Sequence, residues 1–210
     1  MKHIILLGDS VFDNAAYVSV GSDVLAHLRN QMPPGWRATL KAVDGSVVQG
    51  VSRQIQDIPQ DATHVVISVG GNDALHNAGL LEMRVQSAAE VFGRLADIVE
   101  EFQHQYHKML KSVSGLGLPA AVCTIYFPRF PDPTIQRLTV TALSAFNDVI
   151  IRKAIMARLP LLDLRLICDR DEDYANPIEP SEEGGSKIAA AVLNLVREHR
   201  FENRRTEVFL

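Results

Sequence analysis

The stretch Ile4-Ile5-Leu6-Leu7-Gly8-Asp9-Ser10 joins a short aliphatic run directly to a polar turn. Consecutive aliphatic residues are typical of a strand that is buried on both faces of a sheet. Glycine permits a tight turn after such a strand. The turn brings the Ser10 hydroxyl to the carboxyl end of the strand, which is the edge where open α/β sheets bind their ligands. Ser10 is therefore the first candidate for a functional side chain.

Four more runs with strand character follow, over residues 38–43, 64–69, 119–126 and 160–164. Between them, apolar residues recur at helical spacing and predict helices over 83–112, 139–159 and about 185–199. Alternating strands and helices indicate a mostly parallel sheet with helices on both faces. We predict one domain over residues 1–210, an α/β protein built as a three-layer α/β/α sandwich around a five-stranded parallel sheet.

Composition and charge narrow the class of function. The formal net charge of −4 provides no basic surface for a nucleic acid, and no apolar run is long enough to cross a bilayer. The N-terminus leaves no room for a cleavable signal before Gly8, and the two cysteines, Cys123 and Cys168, have no metal-type spacing. We expect a cytoplasmic protein that requires no metal or cofactor and binds neither nucleic acid nor membranes. The oligomeric state is left open, as is the partner of the tail 201–210, which can dock on the body or on another subunit.

Two more polar turns follow predicted strands, the runs that end at residues 43 and 69. Asp44-Gly45 offers a backbone N–H that a bound oxygen can reach. Gly70-Gly71-Asn72-Asp73 offers the amide of Asn72, which can donate to a developing negative charge, and Asp73, which we expect to brace the turn. Three polar turns at one edge of a sheet are a far more specific signal than any one of them.

These three turns, together with the segment Pro180-Ser181-Glu182-Glu183-Gly184-Gly185-Ser186-Lys187-Ile188-Ala189, resemble the SGNH/GDSL hydrolase family from Ile4 to about Val196. The resemblance implies a flavodoxin-like SGNH hydrolase fold and a serine esterase that hydrolyses small carboxylic esters through an acyl-serine intermediate. It implies that Ser10 attacks the ester, while the N–H groups of Ser10 and Gly45 and the side chain of Asn72 bind the oxyanion. Short acyl or aryl esters are the expected substrates, and the segment 127–133 is predicted to wall an acyl pocket.

The chain departs from the family where the catalytic base is expected. The family places Asp-x-x-His immediately before Pro-Ser, whereas this chain has Asn176-Pro177-Ile178-Glu179 before Pro180. No histidine lies between His107 and His199. Glu179 therefore occupies the position of the histidine, and Asn176 that of the aspartate.

Three interpretations of Glu179 are open. It is the general base, with a pKa raised by burial. Alternatively, it orients Arg53, whose guanidinium would stabilise the serine alkoxide or the oxyanion but would not take a proton. In the third interpretation catalysis is lost, and the cleft only binds a carboxylate or an acetylated sugar. The predicted catalytic residues are Ser10, Glu179 and Arg53. A nucleotide-binding domain is disfavoured, since no Gly-rich phosphate loop follows the first strand.

Overall fold

The computed structural model describes all residues from 1 to 210. The strands are β1 (His3–Gly8), β2 (Arg37–Leu40), β3 (His64–Ser68), β4 (Ala120–Cys123), β5 (Leu161–Leu162), β6 (Tyr174–Asn176), β7 (Glu179–Pro180) and β8 (Val208–Phe209). The α-helices are α1 (Val24–Gln31), α2 (Val51–Gln54), α3 (Gly71–Leu75), α4 (Ala88–Ser114), α5 (Pro133–Ala157), α6 (Leu164–Ile167) and α7 (Glu182–Glu198). Short 3-10 helices cover residues 48–50, 55–57, 78–82, 171–173 and 201–203. None of the helices combines the length and the apolar character that a membrane span requires.

The main sheet is parallel and has six strands in the order β2-β1-β3-β4-β5-β8. The predicted three-layer α/β fold is confirmed, but the predicted number of five strands is wrong. The sixth strand is the tail, whose Val208 and Phe209 pair with Leu161 and Leu162 of β5. This docking on the body is one of the two placements that the sequence left open.

Alternate residues of β1 supply the cores on the two faces of the sheet. Ile4 and Leu6 pack with residues of α1 and α7, and Ile5 and Leu7 pack with residues of α4 and α5. All four side chains are fully buried. The continuous aliphatic run is therefore explained by helices that cover both faces of this strand.

Each of the long helices begins where a side chain caps it. Ser87 accepts from Glu90 N–H before α4, Asp132 accepts from Thr134 and Ile135 N–H before α5, and Ser181 accepts from Gly184 N–H before α7. Capping satisfies N–H groups that have no partner inside the helix. Helix α5 begins six residues before the predicted start, because Pro133 fits the first turn of a helix.

A separate antiparallel hairpin, β6–β7, immediately precedes α7 in the chain. Gly184, in the first turn of α7, brings the helix against the segment that enters this hairpin, since a Cβ there would overlap the carbonyl oxygen of Asp173. At the next position, Gly185, the nearest atom to such a Cβ would be Val24 Cγ2 at 3.4 Å, which is an ordinary contact. The Ser181 N–H also donates to the Asp173 carbonyl, at 2.9 Å. The hairpin is thus fixed to the start of α7.

Candidate active site

Ser10 lies in the turn that follows β1 at the carboxyl edge of the sheet, as predicted. The turn depends on Gly8, which has a φ of 128° and packs so closely on β3 that a Cβ would overlap the Ser68 carbonyl oxygen. The side chain of Gln54 makes two hydrogen bonds to the backbone of Gly8. Its Oε1 accepts from the Gly8 N–H at 2.8 Å, and its Nε2 donates to the Gly8 carbonyl at 2.7 Å. The backbone that presents the Ser10 hydroxyl is therefore held on two sides.

The Ser10 hydroxyl donates a hydrogen bond to Glu179, with Oγ 3.0 Å from Oε1. Both residues are buried, with Ser10 7% and Glu179 6% exposed. Glu179 reaches Ser10 from β7, the second strand of the hairpin. The structure thus brings together a hydroxyl and a carboxylate that are 169 residues apart in the sequence.

Three side chains position the hairpin that carries Glu179. Asn176 Oδ1 accepts from the N–H groups of Ile178 and Glu179, at 3.0 and 3.1 Å. The Tyr126 hydroxyl donates to the Ile178 carbonyl at 2.6 Å, and Asn14 Nδ2 donates to the Pro180 carbonyl at 3.3 Å. Asn176 therefore holds the backbone of the turn and makes no hydrogen bond to the carboxylate of Glu179.

Burial raises the pKa of Glu179 to about 7. The hydrogen bond from Ser10 opposes this rise, and the negative charge of Asp44 adds to it. The second carboxylate oxygen, Oε2, is buried and has no hydrogen-bond partner. Burial removes water from the carboxylate, and the single hydrogen bond from Ser10 replaces only part of it, which is why the pKa moves up.

Asp9 is a second buried carboxyl group beside the nucleophile. Burial raises its pKa to about 8, against the hydrogen bond from the Val11 N–H, and the charges of Glu179 and Asp73 raise it further. The pKa values of both Asp9 and Glu179 are thus shifted in the direction that favours the neutral carboxyl. The burial of Asp9 depends on packing and cannot be predicted from the Gly8-Asp9-Ser10 stretch alone.

The loop after β2 is held against both neighbouring loops. The Asn72 amide donates to the Ser46 carbonyl at 3.0 Å, Val48 N–H donates to Asp73 Oδ2 at 3.0 Å, and Asp44 N–H donates to Asp13 Oδ2 at 2.9 Å. The side chain of Asp73 therefore braces the loop after β2, whereas the sequence predicted that it braces its own turn. The N–H groups of Ser10 and Gly45 make no hydrogen bond within the protein, and an asparagine amide has a second N–H. Each of the three predicted oxyanion donors thus has a free N–H.

Arg53 is not brought to the site. It lies on α2, where Val51 and Gln54, three residues apart, face the core and Arg53 is exposed. It makes no ion pair with Glu179 or any other residue, nor does it pair with Asp57. The prediction about Arg53 is wrong because a helix of one turn can direct either of two neighbouring residues toward the core. Here Gln54 points inward and Arg53 points to solvent.

A cavity of about 270 Å³ opens beside Ser10 and Glu179. Its walls are mainly apolar and come from the 78–82 segment, from α4 and from α5. Pro128 and Phe130 line it, so the 127–133 segment forms part of its wall. None of the seven histidines lines it, and His76 is exposed.

A model of the GDSL-like lipase/acylhydrolase family matches residues 6–185. No protein of curated function matches the sequence.

Several solved structures have the same fold. An extracellular lipase from Streptomyces rimosus is 16% identical, with a TM-score of 0.67 over 95% of this chain and 100% of that one. The psychrotrophic esterase EstA from Pseudoalteromonas sp. is 16% identical, with a TM-score of 0.66 over 94% and 98%. A lipase/acylhydrolase from Enterococcus faecalis is 18% identical, with a TM-score of 0.67 over 94% and 96%.

Proposed function

Because the chain belongs to the GDSL-like lipase/acylhydrolase family, we propose that it is a serine esterase in which a glutamate replaces the histidine base. Ser10 is the nucleophile and Glu179 the general base. The observation that carries this proposal is the hydrogen bond from Ser10 Oγ to Glu179 Oε1, in a cavity that no histidine lines. A nucleophile within hydrogen-bond reach of a base is the arrangement that covalent catalysis requires.

In the acylation step, Ser10 Oγ bonds to the ester carbonyl carbon while Glu179 Oε1 takes the hydroxyl proton. The carbonyl oxygen becomes an oxyanion, which accepts from the N–H groups of Ser10 and Gly45 and from the Asn72 amide. The intermediate collapses when the bond from carbon to the alcohol oxygen breaks. The protonated Glu179 then gives its proton to the leaving alcohol, and the acyl group stays on Ser10.

In the deacylation step, a water molecule attacks the acyl carbon and gives a proton to Glu179. The bond from carbon to Ser10 Oγ breaks, Glu179 returns the proton to Oγ, and the carboxylic acid leaves. Each step uses the same two residues, so neither an aspartate nor an arginine is required.

The raised pKa of Glu179 supports this role at neutral pH. A base works best when its pKa is near the ambient pH. An ordinary glutamate is too weak a base for a serine hydroxyl, whereas burial brings the pKa of Glu179 to about 7, in the range of a histidine.

The volume and the apolar walls of the cavity suit an ester with a short acyl or aryl group. Its volume of about 270 Å³ lies just below the range of about 300 to 1,000 Å³ that is usual for ligand pockets. Apolar walls from α4 and α5 suit a hydrocarbon acyl group placed next to Ser10.

Labelling with an alkyl fluorophosphonate tests the proposal, because this probe reacts preferentially with an activated serine. We expect modification at Ser10 in the wild type, loss of labelling in Ser10→Ala, and strongly reduced labelling in Glu179→Gln. Hydrolysis of an aryl butyrate should be lost in the same two variants. A wild-type protein that neither reacts nor hydrolyses would point to the alternative, a cleft that only binds a carboxylate or an acetylated sugar.

A further inference from the structure

The side-chain amide of Gln54 takes the place of a neighbouring strand beside Gly8. The register of β1 with β2 ends two residues before Gly8. Beyond that point the Gly8 N–H donates to Gln54 Oε1, and the Gly8 carbonyl accepts from Gln54 Nε2 and from the Val43 N–H. Gln54 is 8% exposed and is not part of the cavity wall. It can therefore affect Ser10 only through the backbone.

The same amide nitrogen also contacts the loop after β2. Gln54 Nε2 donates to Ser46 Oγ at 3.3 Å, in addition to its bond to Gly8. A primary amide has two N–H groups, so both bonds can form at once. Ser46 directly follows Gly45, and its carbonyl accepts from the Asn72 amide at 3.0 Å. Ser46 thus joins Gln54 to the segments that carry Gly45 and Asn72.

The three donors of the proposed oxyanion hole belong to three separate loops. Ser10 follows β1, Gly45 follows β2 and Asn72 follows β3. An oxyanion must lie about 3 Å from each donor, and a displacement of about 1 Å can cost about a hundredfold in rate. Residues 43–45 are exposed, so hydrogen bonds rather than packing fix the loop that carries Gly45. The hydrogen bonds between the loops therefore determine how the three donors are spaced.

We infer that Gln54 is a positioning residue that sets the spacing between the Ser10 nucleophile and the donors of the oxyanion hole. The inference rests on the proposed esterase function and adds to it a residue that does not touch the ester. Removing the hydrogen bonds of Gln54 changes no wall of the apolar cavity, so substrate binding should be kept. The contacts to the oxyanion form only in the transition state, and these should weaken. The effect is therefore expected on kcat and not on KM.

Gln54→Met tests this role, because methionine keeps the length of the side chain and makes neither hydrogen bond to Gly8. We expect kcat with an aryl butyrate to fall about tenfold to a hundredfold, while KM changes less than about twofold. Gln56→Met is the matched control, since Gln56 is exposed, lies on the next 3-10 helix and makes no side-chain hydrogen bond. It should keep the wild-type kcat. If Gln54 served only to stabilise the fold, Gln54→Met would lower the melting temperature but leave kcat of the folded protein unchanged.

Ser46→Ala removes only the link from Gln54 to the loop after β2. The Ser46 carbonyl, which accepts from the Asn72 amide, is kept. We expect kcat to fall about threefold, the usual effect of one weak hydrogen bond. Adding Ser46→Ala to Gln54→Met should cause no further loss, because the Ser46 hydroxyl acts through Gln54. If Gln54→Met does not fold, Ser46→Ala decides, and an unchanged kcat would contradict the link.

Binding of propylboronic acid separates this inference from the proposed activity. Ser10 Oγ bonds to boron, Glu179 takes the hydroxyl proton, and the boron becomes a tetrahedral anion with an oxygen at the oxyanion donors. Calorimetry should show that Gln54→Met weakens this binding at least about tenfold, while butyramide, which stays trigonal, binds both proteins equally. A wild type that hydrolyses no ester would refute the esterase function, and the boronate comparison alone would then decide on Gln54. Equal boronate affinities would overturn the positioning role, and a wild type that binds no boronate would overturn both.

Discussion

Glu179→Gln should stabilise the folded protein at alkaline pH while it removes activity. Burial raises the pKa of Glu179 from 4.5 to about 7, and Oε2 has no donor to offset the lost water. The folded state therefore holds the proton more tightly than the unfolded chain does. Ionising this residue costs folding free energy, and glutamine, which has a similar shape, avoids that cost.

The magnitude of this stability difference and the pH range over which it develops follow from the pKa values of Glu179 in the unfolded and folded states. They differ by about 2.5, and at 1.36 kcal/mol for each tenfold change this corresponds to about 3 kcal/mol. Between pH 4.5 and 7 the folded protein keeps a proton that the unfolded chain has released, so the free energy of unfolding falls as the pH rises. The cost is absent below pH 4.5 and complete above pH 7.

Urea unfolding of the wild type and of Glu179→Gln at about pH 4, 6 and 8.5 measures this difference. We expect near-equal stabilities at pH 4 and a gain of about 3 kcal/mol for the variant at pH 8.5. Glu100→Gln, at an exposed position of α4, should show no such dependence. A difference that is constant with pH, or a wild type that is the more stable at pH 8.5, would refute the reasoning and remove the physical basis for a glutamate base.

The pH profile of kcat/KM with an aryl butyrate should have an acid limb near pH 7, so that activity at pH 6 is about a tenth of the plateau. A limb near pH 4.5 would contradict the raised pKa. Asn72→Ala should lower kcat about a hundredfold or more, whereas an effect on KM alone would make Asn72 a ground-state binding group. Arg53→Ala should keep the wild-type kcat/KM, because the Arg53 side chain is exposed and makes no ion pair. A clear loss of kcat/KM would mean that Arg53 takes part in the reaction. Asn176→Asp with Glu179→His should raise activity near neutral pH and give an acid limb at roughly 6 to 7, and Glu179→His alone should gain less. A folded double variant without a gain would mean that a ring at position 179 does not reach Ser10.

Much of the fold could be predicted because its central strands and long helices are strongly patterned. The aliphatic run from Ile4 to Leu7 predicts β1, which is observed at His3–Gly8, and the strand predicted over 64–69 is observed at His64–Ser68. Strand β8 contains only two residues, so its pairing with β5 depends on tertiary contacts that leave no periodic pattern. The tail was therefore not recognised as a strand.

The candidate site could be predicted only in part. Ser10 and Glu179 were found because each stands at a recognisable position of a family motif, and the structure places them in hydrogen-bond contact. The sequence points to Arg53, whereas Gln54 is the residue of α2 that faces inward, because neighbouring residues of a one-turn helix point in different directions. The unpaired Oε2 of Glu179 and the burial of Asp9 arise from packing, which a local sequence does not record.

The two adjacent glycines at the start of α7 have opposite consequences for protein engineering. Replacing glycine by alanine in a helix commonly stabilises a protein by about 0.4 to 1 kcal/mol, so both positions invite the change. Gly185→Ala places a methyl group in ordinary contact with Val24 and should give that gain. Gly184→Ala would push the helix away from the Asp173 carbonyl and shift the hairpin that carries Glu179. Selection for thermal stability alone would therefore favour the first change, whereas the second would displace Glu179 from Ser10 without altering either residue.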